Sequence, residues 1–214
     1  MKKHRSIREN ALDKIKKHIA DNFNLYIIVG IFFVIGIIAG VFFYNSLDKS
    51  KQEPSFNYIN SFIQEIKEGS KVDKIELLKQ TLISDFIYTI IIWFAGCTII
   101  GLPIVYGIVS IKGFSLSYTI CCIIGIFGIP KGIIFCILSL FLQNALAIPA
   151  YLGLGVSGNK LYNLILKDKG KNNIKLQIIR HTLFCTLMLG ILILSSIIET
   201  YISSILTEIY ISTI

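Results

Sequence analysis

FNLYIIVGIFFVIGIIAGVFF, residues 23–43, carries no charged residue over a length of 21. An α-helix rises 1.5 Å per residue, so about 20 apolar residues cross the hydrocarbon core of a bilayer. This stretch reads as a membrane span, and it sets the class of the whole chain. Its flank Met1–Asn22 holds seven Lys or Arg, the arrangement of an uncleaved signal anchor. The apolar run is overlong for a signal peptide, and Ala39-Gly40-Val41-Phe42 makes a poor cleavage site. Within the run, Gly36-x-x-x-Gly40 places two glycines on one helix face, where a neighbouring helix can approach closely.

The rest of the chain repeats the pattern. Over 214 residues 54% are hydrophobic and only 16% charged, against about 25% charged in soluble domains. The charges gather in short segments between apolar runs. The reading is an all-α, polytopic integral membrane protein with about five transmembrane helices. A basic cytoplasmic tail covers 1–22, and a single membrane domain covers 23–214. The expected spans are 23–43, 83–109, 114–129, 133–157 and 182–203. The polar connection 44–81 holds two short amphipathic helices, one starting at Pro54-Ser55 and one built on Ile75, Leu78 and Leu82. Gly101 and Pro103 are expected to bend the second span near its end. Lys112-Gly113 is read as a tight cytoplasmic turn, and 128–132 (Gly-Ile-Pro-Lys-Gly) as a second turn.

Orientation follows from basic residues. With the N-terminus inside and the C-terminus outside, segments 1–22, 110–113 and 158–180 hold 14 of the 21 Lys and Arg, as the positive-inside rule requires. The net charge of +8 therefore reads as topology, and no nucleic acid is expected. Span 114–129 is short and glycine-rich; a re-entrant course there would put the Lys-rich 158–180 loop outside, against the rule.

No catalytic, cofactor or metal-binding constellation emerges. HExxH, GxSxG and Walker A sequences are absent. Gly153-x-Gly155-x-x-Gly158 matches a dinucleotide pattern but follows an apolar span, not a strand. His4, His18 and His181 are dispersed among basic segments, and the five cysteines lie singly or side by side in apolar runs, as packed small residues would. Asp85 and Glu199 are read as solvated span ends. Gln143 and Asn144, ahead of Pro149 in the fourth span, are read as an interhelical hydrogen-bonding clamp.

The stretch Gly101-Leu-Pro-Ile-Val-Tyr-Gly-Ile-Val-Ser-Ile-Lys-Gly-Phe-Ser-Leu-Ser-Tyr-Thr119 resembles the stage II sporulation protein M family of endospore-forming bacteria. Lys112-Gly113-Phe114-Ser115-Leu116 followed by Tyr118-Thr119 is its most specific piece, and Gln143-Asn144 to Ile148-Pro149-Ala150 adds to it. Family members often carry Gly where this chain has Ser117. The resemblance implies a non-catalytic scaffold in the cell membrane, on the mother-cell side of the sporulation septum. Its implied partners are sporulation proteins D and P, peptidoglycan hydrolases that thin the septum during engulfment. Phe56, Phe62 and Ile66 in the outside loop are expected to form an apolar contact stripe for them. Two other readings stand beside it: a transporter or permease subunit, drawing on the Gly- and Pro-interrupted spans, and an intramembrane enzyme with Asp85 and Glu199 as a carboxylate pair.

Overall fold

A computed structural model describes residue 16 and residues 19–67, 74–98, 101–167 and 174–212. Among these residues the fold is all-helical. Six elements follow in chain order: α1 (Phe23–Ser46), α2 (Lys49–Lys67), α3 (Lys74–Gly96), α4 (Gly101–Phe127), α5 and α6. α5 joins Ile129–Cys136, a π-helical turn Ile137–Phe141 and Leu142–Lys167; α6 joins Ile174–Ile198, a second π-helical turn Glu199–Ser203 and Ser204–Ser212. All but α2 are long and apolar enough to cross a membrane, making five candidate spans. Their outer faces expose large apolar side chains such as Phe42, Phe94 and Leu183. Exposed residues of this size in every span have lipid as their solvent.

The number of spans agrees with the sequence reading, but two boundaries do not. The second span ends at Gly96 rather than 109, and the third begins at Gly101 rather than 114. The turn between them is tight: a Cβ on Gly101 would lie 1.6 Å from the Ala95 carbonyl oxygen, so only glycine fits. Pro103 sits in the first turn of α4, where its missing N–H has no intrahelical partner to lose. It starts a helix rather than bending one. Lys112-Gly113 is no turn; both residues lie in the middle of α4. The expected turn at Gly128 is present, with Gly128 at φ 73° and Pro130 in the first turn of α5.

The 44–81 connection is also rebuilt. α2 starts at Lys49, five residues ahead of Pro54, which lies inside it. The Gln52 amide donates to the carbonyls of Tyr44 (3.1 Å) and Leu47 (3.1 Å), satisfying the end of α1 and fixing the start of α2. Ile75, Leu78 and Leu82 belong to the first turns of the α3 span rather than to a separate helix.

α1 packs most extensively against α4, and α5 against α6. The α1–α4 seam explains both glycine motifs. A Cβ on Gly36 would lie 2.0 Å from the Ser110 carbonyl oxygen, and one on Gly40 2.2 Å from Ser117 Oγ. Reciprocally, a Cβ on Gly113 would lie 2.3 Å from the Phe33 carbonyl oxygen. Backbones this close leave no room for a Cβ at any of these three glycines. Ser110 Oγ donates to the Phe32 carbonyl (2.9 Å) across the seam. Aromatic contacts flank it: Phe32 stacks on Tyr106 at 4.2 Å, and Phe114 meets Phe43 at 5.5 Å. The dinucleotide-like glycines serve packing too. Gly155 lies against Val29 and Val109, and Gly158 against Gly96.

Candidate functional site: a charged cluster at mid-depth

With the helix ends so placed, three charged residues fall near the middle of spans. Asp85 is central in α3, Lys112 central in α4, and Glu199 opens the π-helical turn of α6. A charge in hydrocarbon is costly, so such residues face the protein interior and pair. Asp85 is 6% exposed. Its Oδ1 accepts from Lys112 Nζ at 3.5 Å and from the Tyr151 hydroxyl at 2.5 Å; its Oδ2 accepts from Ser196 Oγ at 3.2 Å. Lys112 Nζ lies 4.4 Å from the ring centroids of both Tyr88 and Tyr151, within reach of cation–π attraction. The ammonium is thereby held between one carboxylate and two aromatic faces, in place of the water it has lost. Asp85 and Glu199 are thus not solvated span ends, and Lys112 does not mark a cytoplasmic turn.

Glu199 stands beside this pair. Gln143 of α5 lines the same cavity as Glu199, and the Ser195 hydroxyl of α6 donates to the Gln143 carbonyl at 2.9 Å. The sequence reading expected the side chains of Gln143 and Asn144 as an interhelical clamp; the bond that joins the helices at Gln143 uses its backbone carbonyl, and the Asn144 amide donates 2.8 Å back to Leu140 in its own helix. That bond serves a carbonyl of the π-helical turn 137–141, where the regular ladder is interrupted. Pro149 lies further along α5, where it removes one backbone donor. The two π-helical turns pack against each other, with Gln143 just after one and Glu199 at the start of the other. Such bulges often mark functional positions because they re-aim side chains.

The cluster lines a cavity of about 310 Å³. Its walls include Thr81, Ser84, Asp85, Lys112, Gln143 and Glu199. On α3 the lining residues Leu77, Gln80, Thr81, Ser84 and Asp85 recur at helical spacing. They trace a stripe from near the start of the span, where Gln80 is exposed, down to mid-depth. That end of the bundle is the one on which α2 lies, against α4 and the last segment of α6.

α2 itself presents a second surface. Its inner face carries Ser55, bonded to the Tyr118 hydroxyl at 2.9 Å, and Ile59 and Ile63, packed with Ile123, Phe135 and Ile211. Phe56 is turned inward as well: its ring lies 3.2 Å from where a Gly125 Cβ would sit. It does not point to an outside partner. The side chains of Phe62 and Ile66 lie outside the described residues. The outward face is polar, with Asn57, Asn60, Ser61 and Gln64 around Tyr58, which is 75% exposed.

Among the described residues no group of His, Cys, Asp and Glu is arranged to hold a metal ion. His181, read from sequence as part of a basic segment, is buried, with its Nδ1 2.7 Å from Ser157 Oγ. Lys112, Gly113 and Phe114 of the specific motif lie together on α4 with two jobs, and Gly101 opens the same helix. Gly113 and Phe114 face α1, and Lys112 faces the cavity. Sequence reading missed Tyr88, Tyr151 and Ser196, which are unremarkable locally and gain meaning only by surrounding the Asp85–Lys112 pair.

A model of the stage II sporulation protein M family matches residues 29–204. No curated protein and no solved structure matches the chain. The match runs from the first membrane helix into the last and covers most of the sequence, and the family is not a known family of enzymes. The chain therefore belongs to the stage II sporulation protein M family, as a sporulation membrane protein with five membrane-spanning helices.

Proposed function

We propose that the protein is a non-catalytic membrane scaffold of the engulfment machinery. In this reading it recruits the peptidoglycan hydrolases sporulation proteins D and P to the septum, where they thin the wall and let the mother cell engulf the forespore. It acts from the cell membrane on the mother-cell side. The observation that carries the reading is the family match over 29–204.

The polar outer face of α2 is the contact surface this role needs. A rigid helix tied to the bundle by Gln52, Ser55 and Ile63 presents Tyr58 without an ordering cost, and exposed tyrosines are frequent anchors at interfaces. Basic residues support an orientation with α2 outside. Segments 1–22 and 158–180 together hold 13 Lys and Arg, and the described residues that adjoin them, the start of α1, the end of α5 and the start of α6, fall at the opposite end of the bundle from α2. The test is Tyr58→Asp combined with Ser61→Arg in the sporulating host. Both hydrolases should lose septal localisation while the scaffold remains in the membrane. Recruitment at the normal level would remove α2 as the contact surface.

A second reading, a transporter or permease subunit, draws on one observation: the cavity reaches charged residues at mid-depth, as substrate sites of transporters do. Uptake into proteoliposomes that is equally flat for the wild type and Glu199→Gln would eliminate it.

A further inference from the structure

The cavity at mid-depth has an imbalance of hydrogen-bonding groups. Around the charged pair the donors are engaged: Lys112 and Tyr151 donate to Asp85, the Thr81 hydroxyl to the Leu77 carbonyl (2.9 Å), the Ser195 hydroxyl to the Gln143 carbonyl, and the Asn144 amide to the Leu140 carbonyl. Two acceptors beside them are not. Gln143 Oε1 and Glu199 Oε2 are both buried and have no hydrogen-bond partner among the described residues. A buried acceptor without a donor carries a desolvation penalty that a bound group can relieve. Charge runs the same way. Asp85 and Lys112 form an ion pair, which leaves the formal charge of Glu199 without a cation of its own.

Size adds a third constraint. A volume of about 310 Å³ is far more than one desolvated ion occupies and is at the lower end of small-molecule sites. The polar stripe Gln80, Thr81, Ser84 leads to it from the end of the bundle carrying α2.

We infer that this cavity is a binding site for a primary ammonium group carried by a small polar molecule of roughly amino-acid size, with Glu199 and Gln143 as its acceptors. The N–H donors fill the two vacant acceptor positions, and the positive charge balances Glu199. The aromatic faces of Tyr88 and Tyr151 remain occupied by Lys112, so the ammonium is held by hydrogen bonds rather than by an aromatic cage. A quaternary ammonium, which has the charge and no donor, is therefore rejected. This inference does not depend on the scaffold reading and stands or falls separately from it.

The test uses the full chain purified in lipid nanodiscs at fixed ionic strength and measures thermal unfolding while ethylammonium is titrated in. A ligand that binds only the folded state raises the midpoint in a saturable way. Ethylammonium should give such a rise; tetramethylammonium and sodium at the same concentration should not. Glu199→Gln should weaken the response at least tenfold, and Gln143→Leu, which keeps the carboxylate, should weaken it as well. The second variant carries the test if the first fails to fold. Absence of a saturable response in the wild type would overturn the proposal. An equal response to tetramethylammonium would reduce it to charge alone, and an equal response to sodium would make the site one for a metal ion; either contradicts the ammonium assignment.

Discussion

Replacing Asp85 by alanine should be among the most damaging single changes in the membrane domain. The substitution deletes the acceptor of three bonds, from Lys112, Tyr151 and Ser196. It also strands Lys112, whose side chain is 25% exposed, as an uncompensated charge in a water-poor interior. Removing one partner of a buried ion pair costs about 3–5 kcal/mol. Here the value should fall toward the lower end, about 3 kcal/mol, because Lys112 retains two aromatic faces and partial access to the cavity. The partner change Lys112→Met leaves Asp85 with two neutral donors and should cost about 2 kcal/mol. The double variant contains no stranded charge, so its cost should fall short of the sum by about 2 kcal/mol. The single tryptophan of the chain, Trp93, supplies the readout. Its indole N–H donates to Thr182 of α6 at 2.9 Å, so its fluorescence follows separation of α3 from α6. Unfolding in mixed micelles with rising denaturing detergent gives the four free energies of the cycle. A loss below about 1 kcal/mol for Asp85→Ala, or strict additivity in the double variant, would refute a buried, coupled pair.

Three further outcomes follow from the packing. Gly36→Ala should separate α1 from α4 and cost about 1–3 kcal/mol by overpacking, because its new Cβ meets the Ser110 carbonyl at 2.0 Å. Gly30→Ala on the same helix meets nothing within 4 Å and should be neutral or slightly stabilising in the same assay. Gly128→Ala, at φ 73°, should cost about 1 kcal/mol through strain in the α4–α5 turn. In a cysteine-free background, Tyr58→Cys should react with a membrane-impermeant maleimide added to intact cells, Thr98→Cys only after permeabilisation, and Lys112→Cys slowly in both conditions. Rapid labelling of Lys112→Cys would restore the turn that α4 replaces.

Much of the architecture was legible because apolar length is a local property. Five spans, the Gly36–Gly40 face and the Gly128 turn each follow from a few neighbouring residues. The boundary between the second and third spans was not. Cys97-Thr98-Ile99-Ile100 is as apolar as the helices it joins, so hydropathy runs through the true turn without a dip. The first charge after it, Lys112, then looked like the turn, since an unpaired lysine in hydrocarbon is costly. What stabilises it there is Asp85, 27 positions away, and no local pattern states that pairing. Gly96 and Gly101 with Pro103 following were the available signal. Placing the break between those glycines centres Asp85 and Lys112 in spans of 23 and 27 residues and exposes two opposite charges at matching depth. Phe56 was misjudged for a related reason: α2 begins at Lys49 instead of Pro54, and its inner face is set by contact with α4 and α6 rather than by its own periodicity.

The scaffold role is tested most directly in the native host, by deleting the gene, inducing sporulation and imaging the septal membranes with a membrane dye alongside fluorescent fusions of the two hydrolases. The account predicts that the septum forms, that the hydrolases fail to concentrate there, and that the membrane bulges or stalls without engulfing the forespore. Normal engulfment with both hydrolases in place would contradict it.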